Sequence, residues 1–138
     1  MSEQVAQLVT KLIAAWNAHD VDYLATFYAE EYEGVDVAYA KPRQGPNDIR
    51  QTMCLYLQAF PDLCFTIEEL VAQDNRAAVA WIGRGTHQGK LMNIPSTGRE
   101  IVVRGTSFFT VKDCQIIRGL HIWDMAGVLR SMGLLPEL

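Results

Sequence analysis

The chain has 138 residues, 49% hydrophobic and 20% charged, which fits one ordinary globular domain spanning residues 1–138 with enough apolar surface to fold without disulfides or a structural metal. Twelve Lys and Arg against sixteen Asp and Glu leave a net charge of -4, and the scattered basic residues argue against a nucleic-acid partner. No stretch approaches a membrane span, and Met1-Ser2-Glu3-Gln4 lacks the basic start of a signal peptide, so the expectation is a cytoplasmic chain with no membrane partner.

Val5, Leu8, Val9, Leu12, Ile13 and Trp16 recur at helical spacing and predict a helix from about Ser2 to Asn17. Asp20 is a candidate cap for a shorter second helix carrying Tyr23, Leu24, Phe27 and Tyr28. A short strand is expected over Tyr32–Tyr39, then a loop from Pro42 to Gly45. Pro46 opens a third helix with Ile49, Met53, Tyr56, Leu57 and Phe60 on its buried face, and Pro61 ends it. Period-two runs near 64–73, 76–88, 101–112 and 115–123 predict antiparallel strands, with turns at Asp74-Asn75 and Asp113-Cys114 and a longer loop from Gly89 to Arg99. A last short helix runs from about Met125 to Met132. Helices first and strands later make an α+β domain. Cys54, Cys64 and Cys114, odd in number and far apart, read as reduced and mostly buried thiols.

No nucleotide, dinucleotide, serine-nucleophile, zinc or calcium motif is present, so the expected chemistry uses no cofactor and no metal and falls to acid–base side chains. Asp124 ends the last strand in phase with Leu120 and Ile122, on a face expected to be apolar. Desolvation there would raise its pKa and sharpen it as a base, although its position before Met125 equally suits a helix N-cap. His87 follows Trp81, Gly83 and Gly85 on one strand face, where the glycines leave room for a pocket; the alternative is a histidine bonded to a loop. His121 falls on the face opposite Asp124 and ranks below it. Arg104 is a candidate for polarising a carbonyl, with pairing to Glu68, Glu69 or Glu100 as the simpler reading. Trp16, Trp81, Trp123 and the tyrosines, Tyr28 among them, suit either a core or the walls of a site for a flat polycyclic molecule.

Ala59-Phe60-Pro61-Asp62-Leu63, Gly85-Thr86-His87-Gln88-Gly89, Ile94-Pro95-Ser96-Thr97-Gly98-Arg99 and Trp123-Asp124 with Gly127-Val128-Leu129-Arg130 and Gly133 together resemble the SnoaL-like polyketide cyclase family over about Val5 to Leu134. The resemblance implies a nuclear transport factor 2-like fold: a cone of curved antiparallel sheet, wrapped by three helices from the N-terminal half, with an internal cavity and a short C-terminal helix. It also implies homodimers. Such cyclases close a ring of an aromatic polyketide ester by aldol condensation without cofactor. The resemblance places Asp124 at the family's acid–base aspartate and His87 at its Gly-Thr-His position; His87 and Arg104 are then expected to stabilise charge on the oxygen, and Trp81, Arg104, Tyr28, Trp16 and His121 to bind a small apolar or polycyclic substrate. Asp113-Cys114, Arg118-Gly119-Leu120 and Asn93 depart from the family pattern and touch substrate identity more than fold. The alternatives are a cofactor-independent hydroxylase or epoxide hydrolase on the same cavity, or a non-catalytic small-molecule-binding module.

Overall fold

A computed structural model describes residues 1–137. In chain order the elements are α1 (Ser2–Asn17), α2 (Val21–Ala25), β1 (Tyr28–Asp36), β2 (Arg43–Gln44), α3 (Gly45–Ala59), β3 (Cys64–Gln73), β4 (Arg76–Thr86), β5 (Glu100–Lys112), β6 (Gln115–Trp123) and α4 (Met125–Ser131). None of the helices among the described residues is long and apolar enough to cross a membrane.

The apolar stripe expected for α1 buries Val5, Val9, Leu12 and Ile13, and α1 lies against β3 and β4. Asp20 caps α2 by accepting the Tyr23 N–H at 3.1 Å. At the start of α3, the Asp48 carboxylate reaches back to the Gln44 N–H at 2.7 Å, closing one orphan donor of the first turn.

All six strands form one sheet in the order β2-β1-β6-β5-β4-β3. The two-residue turns lie where expected: Asp113 and Cys114 both have positive φ, which matches the twist of the flanking strands, and Asp74 has positive φ in the other hairpin. Extra residues in β1, in β3 at Glu68 and in β6 at Ile117 break the register and add local bend and twist to the sheet.

Four expectations are corrected. The sheet is mixed, because β1 runs parallel to β6. β1 begins at Tyr28, not Tyr32: α2 is only five residues long, and the irregularity between Tyr28 and Glu33 buries Tyr28 and Ala29 in succession, which hides the alternation. Arg43–Gln44, expected as loop, pairs with Gly34 and Glu33 as a strand too short to show a period. The three cysteines are exposed, on outward-facing positions of α3, β3 and the β5–β6 turn.

Gly34 of β1 and Gly119 of β6 are register partners on the inner face, and the Tyr32 ring lies across both. A Cβ on Gly34 would meet the Tyr32 hydroxyl at 1.9 Å, and one on Gly119 would meet it at 2.6 Å. Gly119→Ala should therefore destabilise by about 1–3 kcal/mol, the cost of overpacking a fitted site. Adding Tyr32→Phe, which removes the hydroxyl oxygen, should recover much of that loss in thermal melts. Equal melting temperatures for wild type and Gly119→Ala would refute this packing.

Candidate active site

The sheet register sets the inner face rung by rung. Asp36, His121, Ser107 and Val79 lie side by side across β1, β6, β5 and β4; next to them run Trp123, Gly105 and Trp81. Helices α1 and α3 roof these rows with Leu12, Trp16, Ile49 and Tyr56, enclosing a mainly apolar cavity. About 150 Å³ of it is open to the centres of water-sized molecules. One water needs about a tenth of that, so the space suits an organic molecule.

Trp16, Phe65 and Trp81 form one aromatic wall, in edge-to-face contact at 5.5 and 5.3 Å between successive rings. The Trp81 indole lies across Gly105, where a Cβ would sit 2.3 Å from its ring. That position lets the indole N–H donate to Ser107 Oγ at 3.0 Å, and Ser107 Oγ lies 2.7 Å from His121 Nδ1. His121 Nε2 has no hydrogen bond among the described residues and lies beside Gly119, where a Cβ would sit 3.2 Å from it. Burial pushes the His121 imidazole below its ordinary pKa, and the Asp36 carboxylate pulls the other way. His121 is thus neutral at pH 7 and able to take up a proton.

Asp36 is held in place by the Trp123 indole N–H at 2.8 Å and the Ala38 N–H at 2.9 Å, both donating to Oδ1. The Tyr32 hydroxyl is buried with no partner among the described residues, and desolvation holds its pKa well above the ordinary phenol value, so it remains a donor. No group of three or more His, Cys, Asp or Glu among the described residues is arranged to hold a metal ion.

Trp16, Tyr28, Trp81 and His121 meet in this cavity. Asp124, His87 and Arg104 do not line it. The Asp124 carboxylate is exposed and accepts the Gly127 N–H at 2.8 Å as the N-cap of α4. Strand alternation is as expected, but the face shared by Leu120, Ile122 and Asp124 is the outer one. Arg104 is likewise on the outside, 3.7 Å from Glu68. His87 is fully buried beside Phe60, with Nδ1 accepting the Thr97 backbone N–H at 3.3 Å and lying 2.9 Å from Thr97 Oγ1; it fastens the loop after β4. Sequence reading missed Asp36, Tyr32, Ser107 and Arg43. The available signal was phase: odd positions of β6 and even positions of β1 share the inner face with Gly119 and Gly34.

The profile of the SnoaL-like polyketide cyclase family matches residues 6–132. The chain belongs to that family. It is similar, at 29% identity, to the aklanonic acid methyl ester cyclases DauD of Streptomyces sp. (strain C5) and DnrD of Streptomyces peucetius, matching 96% of this chain and 83% and 92% of theirs. Among solved structures, AclR of Streptomyces galilaeus superposes with a TM-score of 0.88 at 22% identity, over 100% of this chain and 90% of AclR. TsrD of Streptomyces laurentii gives 0.86 at 24% identity, over 98% of both chains. These two likenesses show the fold, the nuclear transport factor 2-like cone. As a SnoaL-like family member the chain is an enzyme of the cyclase type.

His87 and His121 both bind a proton less readily folded than unfolded, because burial disfavours their charged forms. Their contribution is intact above the unfolded value of about 6.5 and is lost as pH falls from there toward the lower folded values. Thermal melts between pH 7.5 and 5 should show stability declining on acidification, and His121→Gln and His87→Gln should each flatten that decline. A slope unchanged in both variants would refute the assignment.

Proposed function

We propose that the chain closes a ring of an aromatic polyketide ester by an intramolecular aldol reaction, with His121 moving the proton. The observation that carries this reading is one neutral imidazole in an apolar cavity, bonded through Nδ1 to Ser107 and placed opposite Asp36. The relatives named as aklanonic acid methyl ester cyclases support the substrate class.

In this reading Nδ1–H donates to Ser107 Oγ, which leaves the Nε2 lone pair toward the cavity. Ser107 has acceptor capacity for both this bond and the Trp81 N–H. Nε2 takes a proton from a methylene between two carbonyls. The enolate carbon then attacks an internal carbonyl carbon, forming the C–C bond, and the resulting alkoxide takes the proton back from the imidazolium. Asp36 stabilises the imidazolium while it exists. Holding a flexible chain folded for attack in the aromatic cavity supplies the entropic part of the rate.

With an aromatic polyketide ester as substrate, His121→Gln should lower kcat by about 10²–10⁴-fold. Tyr32→Phe should keep the melting temperature, since a buried unpartnered hydroxyl is removed. Asp124→Asn should keep wild-type kcat. Turnover under isotopically labelled dioxygen should leave the product unlabelled, which separates ring closure from hydroxylation. Activity lost in Asp36→Asn but kept in His121→Gln would move the base to Asp36 and overturn this assignment.

The same reading has two copies pairing through the outer face of the sheet. There Val35, Leu120 and Phe108 form a register row beside exposed Ile122, with exposed Val102 farther along the same face of β5. Light scattering should give twice the monomer mass for wild type and the monomer mass for Phe108→Lys combined with Leu120→Lys. A monomeric wild type would refute it.

A further inference from the structure

We infer that the substrate presents an anionic oxygen group, a carboxylate or an ionised phenol, to Arg43 at the sheet-edge end of the cavity. This rests on the cavity reading above and adds the charge of what enters.

Arg43 stands on the edge strand β2 in register with Gly34, so its side chain rises from the same face as Asp36 and His121, and it lines the cavity. Its guanidinium carbon lies 4.9 Å from the centroid of the Tyr39 ring. The Tyr39 hydroxyl in turn accepts the Tyr56 O–H at 3.1 Å, which ties the stacked pair to α3. Stacking fixes the plane of the guanidinium and leaves its N–H edge for another group.

No carboxylate fills that edge. The ion pairs among the described residues are Arg50 with Asp22 and Arg104 with Glu68. Asp36 shares the cavity but is engaged by Trp123 and Ala38 through Oδ1 and forms no ion pair with Arg43. Arg43 is half-buried, and its guanidinium brings five donors and a charge that is screened less than at a fully exposed site. A planar oxyanion meets both the charge and the fork of N–H groups. A neutral ester oxygen would accept a hydrogen bond and leave the charge unpaired.

The spacing agrees with the proposed reaction. Arg43 and His121 are two strands apart and two residues apart along the strands, roughly 12 Å between Cα atoms from ordinary sheet spacings. With both side chains leaning inward, the anionic group and the reacting carbon are separated on the scale of a fused polycycle. Arg43 therefore selects and orients the substrate end-on, while His121 acts at the other end.

Quenching of tryptophan fluorescence reads the cavity directly, because Trp16, Trp81 and Trp123 line it. The probes are anthraquinone-2-carboxylate, its neutral methyl ester, and 2-hydroxyanthraquinone titrated across its own ionisation. At low salt the carboxylate should bind wild type about 10-fold or more tighter than the ester. Arg43→Gln should bring that ratio near one while keeping the ester affinity, which also reports an intact fold; Arg43→Lys should keep part of the preference. A 2-hydroxyanthraquinone affinity that rises on ionisation in wild type, and not in Arg43→Gln, supports the same site with the phenol as source. Equal affinity of wild type for acid and ester, or a preference that survives Arg43→Gln, overturns the inference and leaves the cavity reading standing. Failure of every probe to bind overturns both.

Discussion

When β6 lays down parallel to β1, Asp36 comes beside His121 and Gly34 beside Gly119, and each pair needs the other. The glycine pair opens a floor on which the Tyr32 ring lies flat; with Cβ atoms there the ring would be lifted into the cavity. The pair one step along then has space in front of it, and the chemistry of the cavity is set by what stands there: a carboxylate and an imidazole on adjacent strands, held by the sheet's own hydrogen bonds. Groups positioned this way need little further ordering, since register fixes them to within the tolerance of strand geometry.

The same principle repeats at Gly105, where the missing side chain lets Trp81 cross to Ser107. Ser107 is the joint between an aromatic wall and a proton-transfer group. It is buried, and its bonds reach both Trp81 and His121, so rotation of the imidazole would break the bond that fixes Nδ1. The apolar walls depress the basicity of His121 and at the same time deepen its interaction with Asp36. These opposed effects leave the imidazole neutral at rest and its protonated form supported once made.

Much of the frame is legible in the sequence. The α1 stripe, the Asp20 cap, the Pro61 stop and both two-residue turns follow from local chemistry, because each depends on residues within one or two turns of chain. The site is less legible, since it depends on which strand face is inside, and alternation alone fixes the phase without its sign. Leu120 and Ile122 make the even face of β6 look like core, whereas Gly119 and His121 on the odd face look like surface. The sheet's outer face is apolar enough to reverse the guess. Asp124 was misread together with that face. Asp36 could be found only through its phase with Gly34, because β1 is irregular between Tyr28 and Glu33 and its parallel partner His121 lies 85 residues on in the chain.

The segments that look most distinctive in the sequence are fastenings. Asp62 takes the Thr86 N–H and O–H, both at 2.7 Å, and these bonds hold its carboxyl below the ordinary carboxylate range. His87 is tied to Thr97, and its backbone N–H donates to the Arg99 carbonyl. The Arg99 guanidinium packs over Gly133 beyond α4, and Asp124 caps that helix. These contacts link the end of α3, the loop after β4 and the last helix into one latch at the Phe60 end of the cone. A motif legible without a fold has to be local, and local chemistry fastens turns and loops. The reactive groups come from β1, β5 and β6, where single residues without a motif are brought together only by sheet register. Frame and chemistry thus rest on separate residues, and a cone of this kind can change what it transforms through a few inward positions while its latch stays untouched.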